Sequence, residues 1–173
     1  MTKSRRLDVQ PCSRVERAMA IVAPTEMKAA LAPRARLLGF DLGTRTIGLA
    51  LSDSGFMVAS PLETLQRTKF TPDAERLRAI ITEKGVGGLV MGLPRNMDGS
   101  EGPRAQSTRA FATNMDGKFD LPITFWDERL TTAEAERVLI DQADMNRKRR
   151  SEVIDKMAAS IILQNFMDFM RNT

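Results

Sequence analysis

The chain has 173 residues, 42% of them hydrophobic, which is enough to bury one sizeable core and too few for two full domains. It contains no histidine, which excludes histidine-based catalytic triads, imidazole-ligated zinc sites and the commonest general base. The formal net charge is +4, but residues 1–36 hold eight basic and three acidic residues, whereas the remainder holds eighteen and nineteen. Nucleic-acid binding must therefore be argued from local patches and not from overall charge.

The single cysteine, Cys12, excludes a disulfide framework and a cysteine-ligated metal site. No run approaches the roughly 18 apolar residues that a membrane span needs, and the N-terminus lacks the apolar region of a signal peptide. We therefore expect a soluble, cytoplasmic protein with no membrane partner.

The first 35 residues show no sustained hydrophobic period and contain prolines at positions 11, 24 and 33. We interpret residues 1–35 as a flexible extension and residues 36–173 as one folded domain. Two alternatives stay open for the extension. It could be an artefact of start-codon choice, with Met19 or Met27 as the true start, or a short amphipathic arm that contacts nucleic acid.

From Arg36 the pattern becomes that of β-strands. Residues 37–41, 46–52 and 56–65 are rich in apolar residues and are separated by glycine-containing turns, which predicts a three-stranded antiparallel meander. Pro72 opens a predicted helix that continues to about Lys84, where Gly85 stops it.

The second half of the chain alternates strands and helices. Val86–Leu93 and Pro122–Trp126 are apolar runs typical of buried strands, and a helix is predicted between them from Pro103 to about Met115. Two further helices, Thr131–Gln142 and Ser151–Met170, are predicted on either side of a basic loop. The order βββαβαβαα predicts an α/β fold in which helices flank one five-stranded mixed sheet.

Asp41 stands at the end of the first, otherwise apolar strand, directly before a glycine. A carboxylate is costly in such a place unless its charge is compensated. One interpretation is a turn former that accepts hydrogen bonds from the amides of Gly43 and Thr44. The other is a metal ligand, with glycine allowing an ion or phosphate to approach the backbone.

Asp127 and Glu128 repeat this arrangement at the end of the fifth strand. Because side chains alternate along a strand, only one of the two can face Asp41. We expect Glu128 to face Asp41, and Asp127 to pair with an arginine or to cap the following helix.

The third candidate acid is Asp155 in the last helix. Steps of three and four residues from it reach Ala158, Ala159, Ile162 and Phe166, so its carboxylate lies on the apolar face that should pack on the sheet. The alternative is an acid of the first turn that interacts with the helix dipole. Three carboxylates without histidine form an oxygen-only site, the type that Mg²⁺ or Mn²⁺ prefers, and a two-metal site would activate water for phosphodiester cleavage.

Four segments carry a resemblance to a known family across roughly residues 36–170. They are Leu38–Thr44 with Ile47–Ala50, Gly92–Pro103, Asp127–Thr132 and Ile154–Ala159, and together they closely resemble the YqgF (RuvX) family. The resemblance implies an RNase H-like fold, similar to Holliday junction resolvases of the RuvC type, and a nuclease role in maturing the 5′ end of pre-16S rRNA.

The family's acidic positions fall on Asp41, Glu128 and Asp155, the same three residues. Resolvases carry a further acid near the end of the fourth strand, where this chain has Gly92-Leu93-Pro94. Asp98 could reach in from the following loop, but a site of three carboxylates is the expectation.

Four residues are candidates for binding the substrate. Asn96 lies in the loop from Pro94 to Pro103, which is interpreted either as a substrate clamp or as a rigid connector. Arg129 is the candidate for contacting a scissile or neighbouring phosphate, and Lys148 and Arg149 would bind the backbone further out. Lys148 and Arg149 belong to a run of four basic residues, and such a run can also be a solvated loop.

The expected partner is nucleic acid, pre-rRNA first and branched DNA second, with pre-ribosomal particles as a further partner. A junction resolvase needs two active sites and hence a homodimer, whereas an rRNA-processing nuclease can act as a monomer. A non-catalytic RNA-binding assembly factor is the main alternative outside the enzymes. An ATPase of the actin-like or sugar-kinase type would need a second domain, for which this chain is too short.

Overall fold

The structure, a computed structural model, describes residues 21–130 and 147–173. Its strands are β1 (Arg36–Leu42), β2 (Thr46–Ser52), β3 (Ala59–Gln66), β4 (Val86–Leu93) and β5 (Ile123–Asp127). Its helices are α1 (Met27–Ala30), α2 (Phe70–Lys84), α3 (Pro103–Asp116) and α4 (Arg147–Asn172), with 3-10 turns at Pro24–Glu26 and Glu128–Leu130. The predicted helix Thr131–Gln142 lies outside the described residues.

The strands form one mixed sheet in the order β3-β2-β1-β4-β5. Strand β2 pairs antiparallel with both β1 and β3, whereas β4 runs parallel to β1 and β5 runs parallel to β4. This confirms the predicted fold class of a five-stranded mixed sheet flanked by helices. Because β1, β4 and β5 are parallel, their carboxyl ends meet at one edge of the sheet.

The central strand β1 is buried on both faces because its side chains alternate between two cores. Leu38 and Phe40 pack on one face with apolar side chains of α2 and α3. Leu37 packs on the other face with Met27 and with apolar side chains of α4. By the same alternation Asp41 lies on the face that α4 covers.

Helix α4 approaches the sheet closely because glycines occupy strand positions beneath it. A Cβ atom at Gly48 would lie 2.1 Å from the backbone oxygen of Asp155, and one at Gly39 would lie 2.7 Å from the Cβ of Leu163. Gly48 is also the pairing partner of Asp41 across β1 and β2. The contact at Gly48 therefore places the backbone of Asp155 over the strand position beside Asp41.

The segment before β1 packs against the domain from residue 21 onward. The amide of Val22 donates to the carbonyl of Ile123 (2.8 Å), Ile21 bridges to the same residue, and the side chain of Met27 is fully buried. Residues 21–35 thus differ from the predicted flexible extension. Their apolar residues form too short a run in the sequence to give a periodic signal. Residues 1–20 lie outside the described residues, so for them the extension stays a prediction.

Two further boundaries differ from the sequence analysis. Strand β3 begins at Ala59 and not at Phe56, because the Asp53 carboxylate accepts hydrogen bonds from the amides of Met57 (2.7 Å) and Val58 (2.9 Å) and holds a loop there. Helix α4 begins at Arg147, so residues 147–150 form its first turn and not a basic loop. Arginine and lysine are good helix formers, and no glycine or proline separates them from the rest of the helix.

Within the described residues, α4 is the longest helix at 26 residues. Neither it nor any other described helix has the apolar length required to cross a lipid bilayer.

We predict that Gly48→Ala destabilises the protein by about 3 kcal/mol or more, because the added methyl group would overlap a helix backbone atom that cannot rotate away. Urea unfolding followed by circular dichroism measures the loss. Gly117→Ala is the matched control, since its Cβ would lie no closer than 3.6 Å to a neighbouring atom and its φ of −66° suits alanine. Equal stability of the two variants would contradict the proposed contact.

Candidate active site

Asp41 lies near the carboxyl end of β1, on the face that α4 covers. The amide of Gly43 donates to the carbonyl of Thr46 (3.0 Å), so the turn after β1 closes through its backbone and not through the Asp41 carboxylate. This observation disfavours the interpretation of Asp41 as a turn former. Burial, and next the negative charge of Asp155, raises the pKa of Asp41 to about 6, although the positive charge of Arg104 opposes the shift.

Glu128 follows β5 in a 3-10 turn, and its carboxylate folds back over β4. Its Oε1 atom lies only 2.7 Å from the place where a Cβ at Gly92 would stand. The absence of a side chain at Gly92 therefore makes room for Glu128. Burial, followed by the charge of Asp41, raises the pKa of Glu128 to about 7, and Arg104 again opposes the shift.

Asp155 is the ninth residue of α4, so it does not belong to the first turn, where the helix dipole acts most strongly. Its helix face carries Ala159, Ile162 and Phe166, which are buried as the sequence analysis expects. The Oδ2 atom of Asp155 is buried and has no hydrogen-bond partner among the described residues. A buried carboxylate oxygen without a partner is costly, and a bound cation would compensate for that cost.

The three acids that the sequence analysis selects are linked by electrostatic interactions through Asp41. Asp41 is the common member, because it interacts electrostatically with both Asp155 and Glu128. The donor atoms are all carboxylate oxygens, which fits a hard divalent ion. As the side chains stand, no three acids in the described part of the chain converge in a metal-binding cluster, so side-chain rotation would have to complete the site.

Asp127 pairs with arginines, one of the two roles expected for it. It accepts hydrogen bonds from the Nη2 (2.6 Å) and Nε (3.0 Å) atoms of Arg129 and lies 3.8 Å from Nη1 of Arg95. The arginine hydrogen bonds come first among the causes that lower the pKa of Asp127. Arg129 is therefore held at the rim of the site, directly beside Glu128.

The loop between β4 and α3 is closed by its own hydrogen bonds. Asn96 donates from Nδ2 to the hydroxyl of Ser100 (2.8 Å), and its carbonyl accepts the amide of Gly99 (2.9 Å), whose φ is +86°. The side chain of Asn96 thus has a structural partner, which supports the rigid-connector interpretation for this residue. Asp98 accepts hydrogen bonds from Ser100 on the exposed side of the loop and does not join the three acids.

The sequence analysis missed Arg104, in the first turn of α3. It is the cation whose charge acts on both Asp41 and Glu128, and in residues 21–130 and 147–173 its exposed side chain makes no ion pair. Its position after Gly102-Pro103 was a usable signal, because a helix that follows β4 starts at the edge of the sheet where Asp41 lies.

Lys148 and Arg149 lie in the first turn of α4, and their side chains fall outside the described residues. The backbone of Lys148 is seven residues before Asp155, or roughly 10 Å along the helix. This spacing fits the expectation that they bind further out than Arg129.

We predict that Asp41→Asn stabilises the protein at pH 8 by about 2 kcal/mol when EDTA removes divalent ions. The pKa of Asp41 is raised from 3.8 to about 6 on folding, so the folded state is favoured at low pH and loses that advantage as pH rises through 6. The gain should vanish near pH 4. Urea unfolding at both pH values measures it.

Asp53→Asn is the control, because three backbone amides that donate to the Asp53 carboxylate lower its pKa. Its lowered pKa stabilises the fold above the unfolded value, so the substitution should weaken the protein at pH 8. A destabilising effect of Asp41→Asn at pH 8 would contradict the assignment of Asp41 as an uncompensated buried acid.

Comparisons with known proteins identify the family of this chain. The RuvX family model, described as Holliday junction resolvase, matches residues 35–169. A protein of Paramagnetospirillum magneticum named "Putative pre-16S rRNA nuclease" is 57% identical over 150 residues, which cover 87% of this chain and 96% of that protein. One of the same name from Roseobacter denitrificans is 61% identical over 145 residues, which cover 83% and 88%.

Among solved structures, RuvC of T. thermophilus in complex with a Holliday junction substrate is 11% identical, with a TM-score of 0.49, over 74% of this chain and 91% of that one. The sequence matches are far stronger than this structural likeness. Since the family model spans most of the chain and the relatives share more than half of its aligned residues, this chain belongs to the RuvX family.

Proposed function

We propose that this protein is a nuclease that cleaves phosphodiester bonds with bound Mg²⁺ or Mn²⁺ and acts in the 5′-end maturation of pre-16S rRNA. The observation that carries the proposal is that Asp41, Glu128 and Asp155 are partly buried and interact through Asp41, without a basic side chain paired to them in the described part of the chain. A divalent cation would supply the missing positive charge. The names of the close relatives support the substrate.

In such a site the acids and the arginines would have different roles. Asp41, Glu128 and Asp155 would hold the ions, which activate a water molecule and stabilise the leaving oxygen when bound. Arg104 has no competing ion pair among described residues and is free to bind a phosphate oxygen of the substrate. Arg129, fixed by Asp127, would contact a neighbouring phosphate.

The proposed partners and location follow from this function. Pre-rRNA would be met in the cytoplasm, free or within pre-ribosomal particles, and Lys148 and Arg149 would bind its backbone beyond the site. Cleavage of branched DNA is the second candidate, favoured by the description of the family model as a Holliday junction resolvase. That reaction would require a homodimer, whereas rRNA cleavage requires only one copy.

A non-catalytic assembly factor accounts poorly for the three acids. Their burial raises the pKa of Asp41 and Glu128 and so destabilises the fold at neutral pH. A protein that only binds RNA gains nothing from that cost, and it would bind a polyanion better without three carboxylates beside the binding surface.

We predict that Asp41→Asn lowers the cleavage rate at least about a hundredfold, because loss of a ligand should cost no less than loss of an outer-shell residue. The assay uses labelled precursor rRNA and a four-way DNA junction, each with Mg²⁺ or Mn²⁺. Asp53→Asn, an exposed acid at the opposite end of the sheet, should cut like the wild type. Equal cleavage by the wild type and Asp41→Asn would reject the active-site assignment, and cleavage of the junction alone would favour the resolvase.

We predict that Asp155→Asn weakens Mn²⁺ binding at least tenfold, since it replaces a buried, unpartnered carboxylate with a neutral amide. Isothermal titration calorimetry measures this without any nucleic acid. Asp168→Asn is the control on the same helix, because Asp168 pairs with Arg171 far from the site. Unchanged Mn²⁺ affinity of Asp155→Asn would remove this residue from the metal site.

A further inference from the structure

Met97 is the most exposed large hydrophobic side chain of the described residues, with 93% of its surface accessible. The other two in this class, Met57 and Val58, are each 57% exposed and lie together at the opposite end of the sheet. Apolar side chains of this size stabilise a protein when they are buried. The fold gives Met97 no such burial, so its apolar surface is available to a ligand.

The loop that carries Met97 is built to hold its shape. The amide of Asn96 donates to the carbonyl of Ser100 (2.9 Å), and the carbonyl of Asn96 accepts from Gly99 (2.9 Å). The Asp98 carboxylate accepts from the amide (2.9 Å) and hydroxyl (2.6 Å) of Ser100. Met97 therefore stands at the tip of a turn whose backbone and polar side chains are bonded internally.

The same loop is anchored beside the three acids. Nη1 of Arg129 makes a long contact of 3.4 Å with the carbonyl of Asn96, and Arg95 lies 3.8 Å from Asp127. Asp127 and Arg129 flank Glu128 in the chain. Met97 is thus held at the edge of the site where the proposed reaction takes place.

The surroundings of Met97 select one kind of partner. Arg95, Arg109 and Arg129 are paired with Glu101 or Asp127, whereas Arg104, at the start of α3, makes no ion pair with a described residue. An unpaired guanidinium whose charge reaches Asp41 and Glu128 can bind a phosphate oxygen of a nucleic acid. Each nucleotide of a nucleic acid has one apolar surface, which is the face of its base. A side chain can reach that face only where the base is unstacked.

We propose that Met97 packs against the face of an unstacked nucleobase next to the phosphate bound at the three acids. This inference rests on the proposed nuclease function and narrows its substrate to single-stranded or locally distorted nucleic acid. The thioether is flexible and polarisable, which suits packing against an aromatic ring. Apolar side chains inserted beside bases are a known means of holding nucleic acid in an unstacked form.

The test is the binding of Met97→Gln, made in the Asp41→Asn background to prevent cleavage. The probe is a fluorescein-labelled RNA that spans the junction of the 5′ leader and mature 16S rRNA, used single-stranded and fully paired. Fluorescence anisotropy should show roughly tenfold weaker binding to the single strand, the loss expected for one stacked base, and no change for the duplex. Met57→Gln, an exposed methionine at the other end of the sheet, should bind as the parent does.

A second measurement separates base packing from an effect on the loop. In RNAs that carry a single abasic site at successive positions, one position should weaken binding by the parent protein and leave binding by Met97→Gln unchanged. Losses that simply add at every position would overturn the inference, as would equal binding of the single strand by the parent and Met97→Gln. Thermal unfolding should be the same for both, because Met97 is exposed.

Failure of the inference and failure of the proposed function give different results. Cleavage of the RNA by the wild type, together with no effect of Met97→Gln, would reject the role of Met97 and keep the nuclease. A Met97 effect on binding without cleavage by the wild type in any metal would reject the nuclease and keep the base contact. If the parent binds neither strand, both are overturned.

Discussion

The site depends on the contact between the backbone of α4 and Gly48. Because a Cβ atom at that position would lie 2.1 Å from the Asp155 carbonyl oxygen, any other residue would push the helix away from the sheet. The helix is held down by buried apolar side chains such as Leu163 and Phe166. Apolar packing thus provides the free energy that keeps Asp155 near Asp41, against the mutual repulsion of the two carboxylates.

Gly92 makes room for the second acid in the same way as Gly48 makes room for Asp155, on the other side of Asp41. Gly92 leaves space above β4, and the Glu128 carboxylate occupies it. Each strand beside β1 therefore carries a glycine next to the site. Gly48 in β2 makes room for the backbone of α4, and Gly92 in β4 makes room for the side chain of Glu128. These residues explain how three acids can be buried close together without distortion of the sheet.

The sequence allowed the three acids to be predicted because each interrupts an apolar pattern. Asp41 is the penultimate residue of β1, Glu128 follows β5 directly, and Asp155 lies on the apolar face of α4. Arg104 interrupts no apolar pattern, and the signal for it was its place in the first turn of the helix that follows β4. Its importance comes from the parallel pairing of β4 with β1, which only the folded chain establishes.

The structures of residues 21–35 and of the β4–α3 loop could not be predicted from sequence patterns. Met27 lies in a short segment without a hydrophobic period and is buried against apolar side chains of α4, and the hydrogen bonds of Asn96 depend on the loop conformation. Residue type alone also could not show that Met97 is exposed, because methionine is among the residues most often buried. These features depend on tertiary contacts and not on local spacing.

The arginines near the site differ in whether an acidic side chain is paired with them. Glu101 lies between Arg95 and Arg109, and its hydrogen bonds with them, Arg109 first, lower its pKa to about 2, so this network stays charged at any physiological pH. Arg129 is held in the same way by Asp127. Paired arginines have donors already engaged, so their main effect is to fix the loop and the rim. Arg104 makes no ion pair within the described residues, which leaves its guanidinium available to a phosphate, while the fixed loop presents Met97 to the adjoining base.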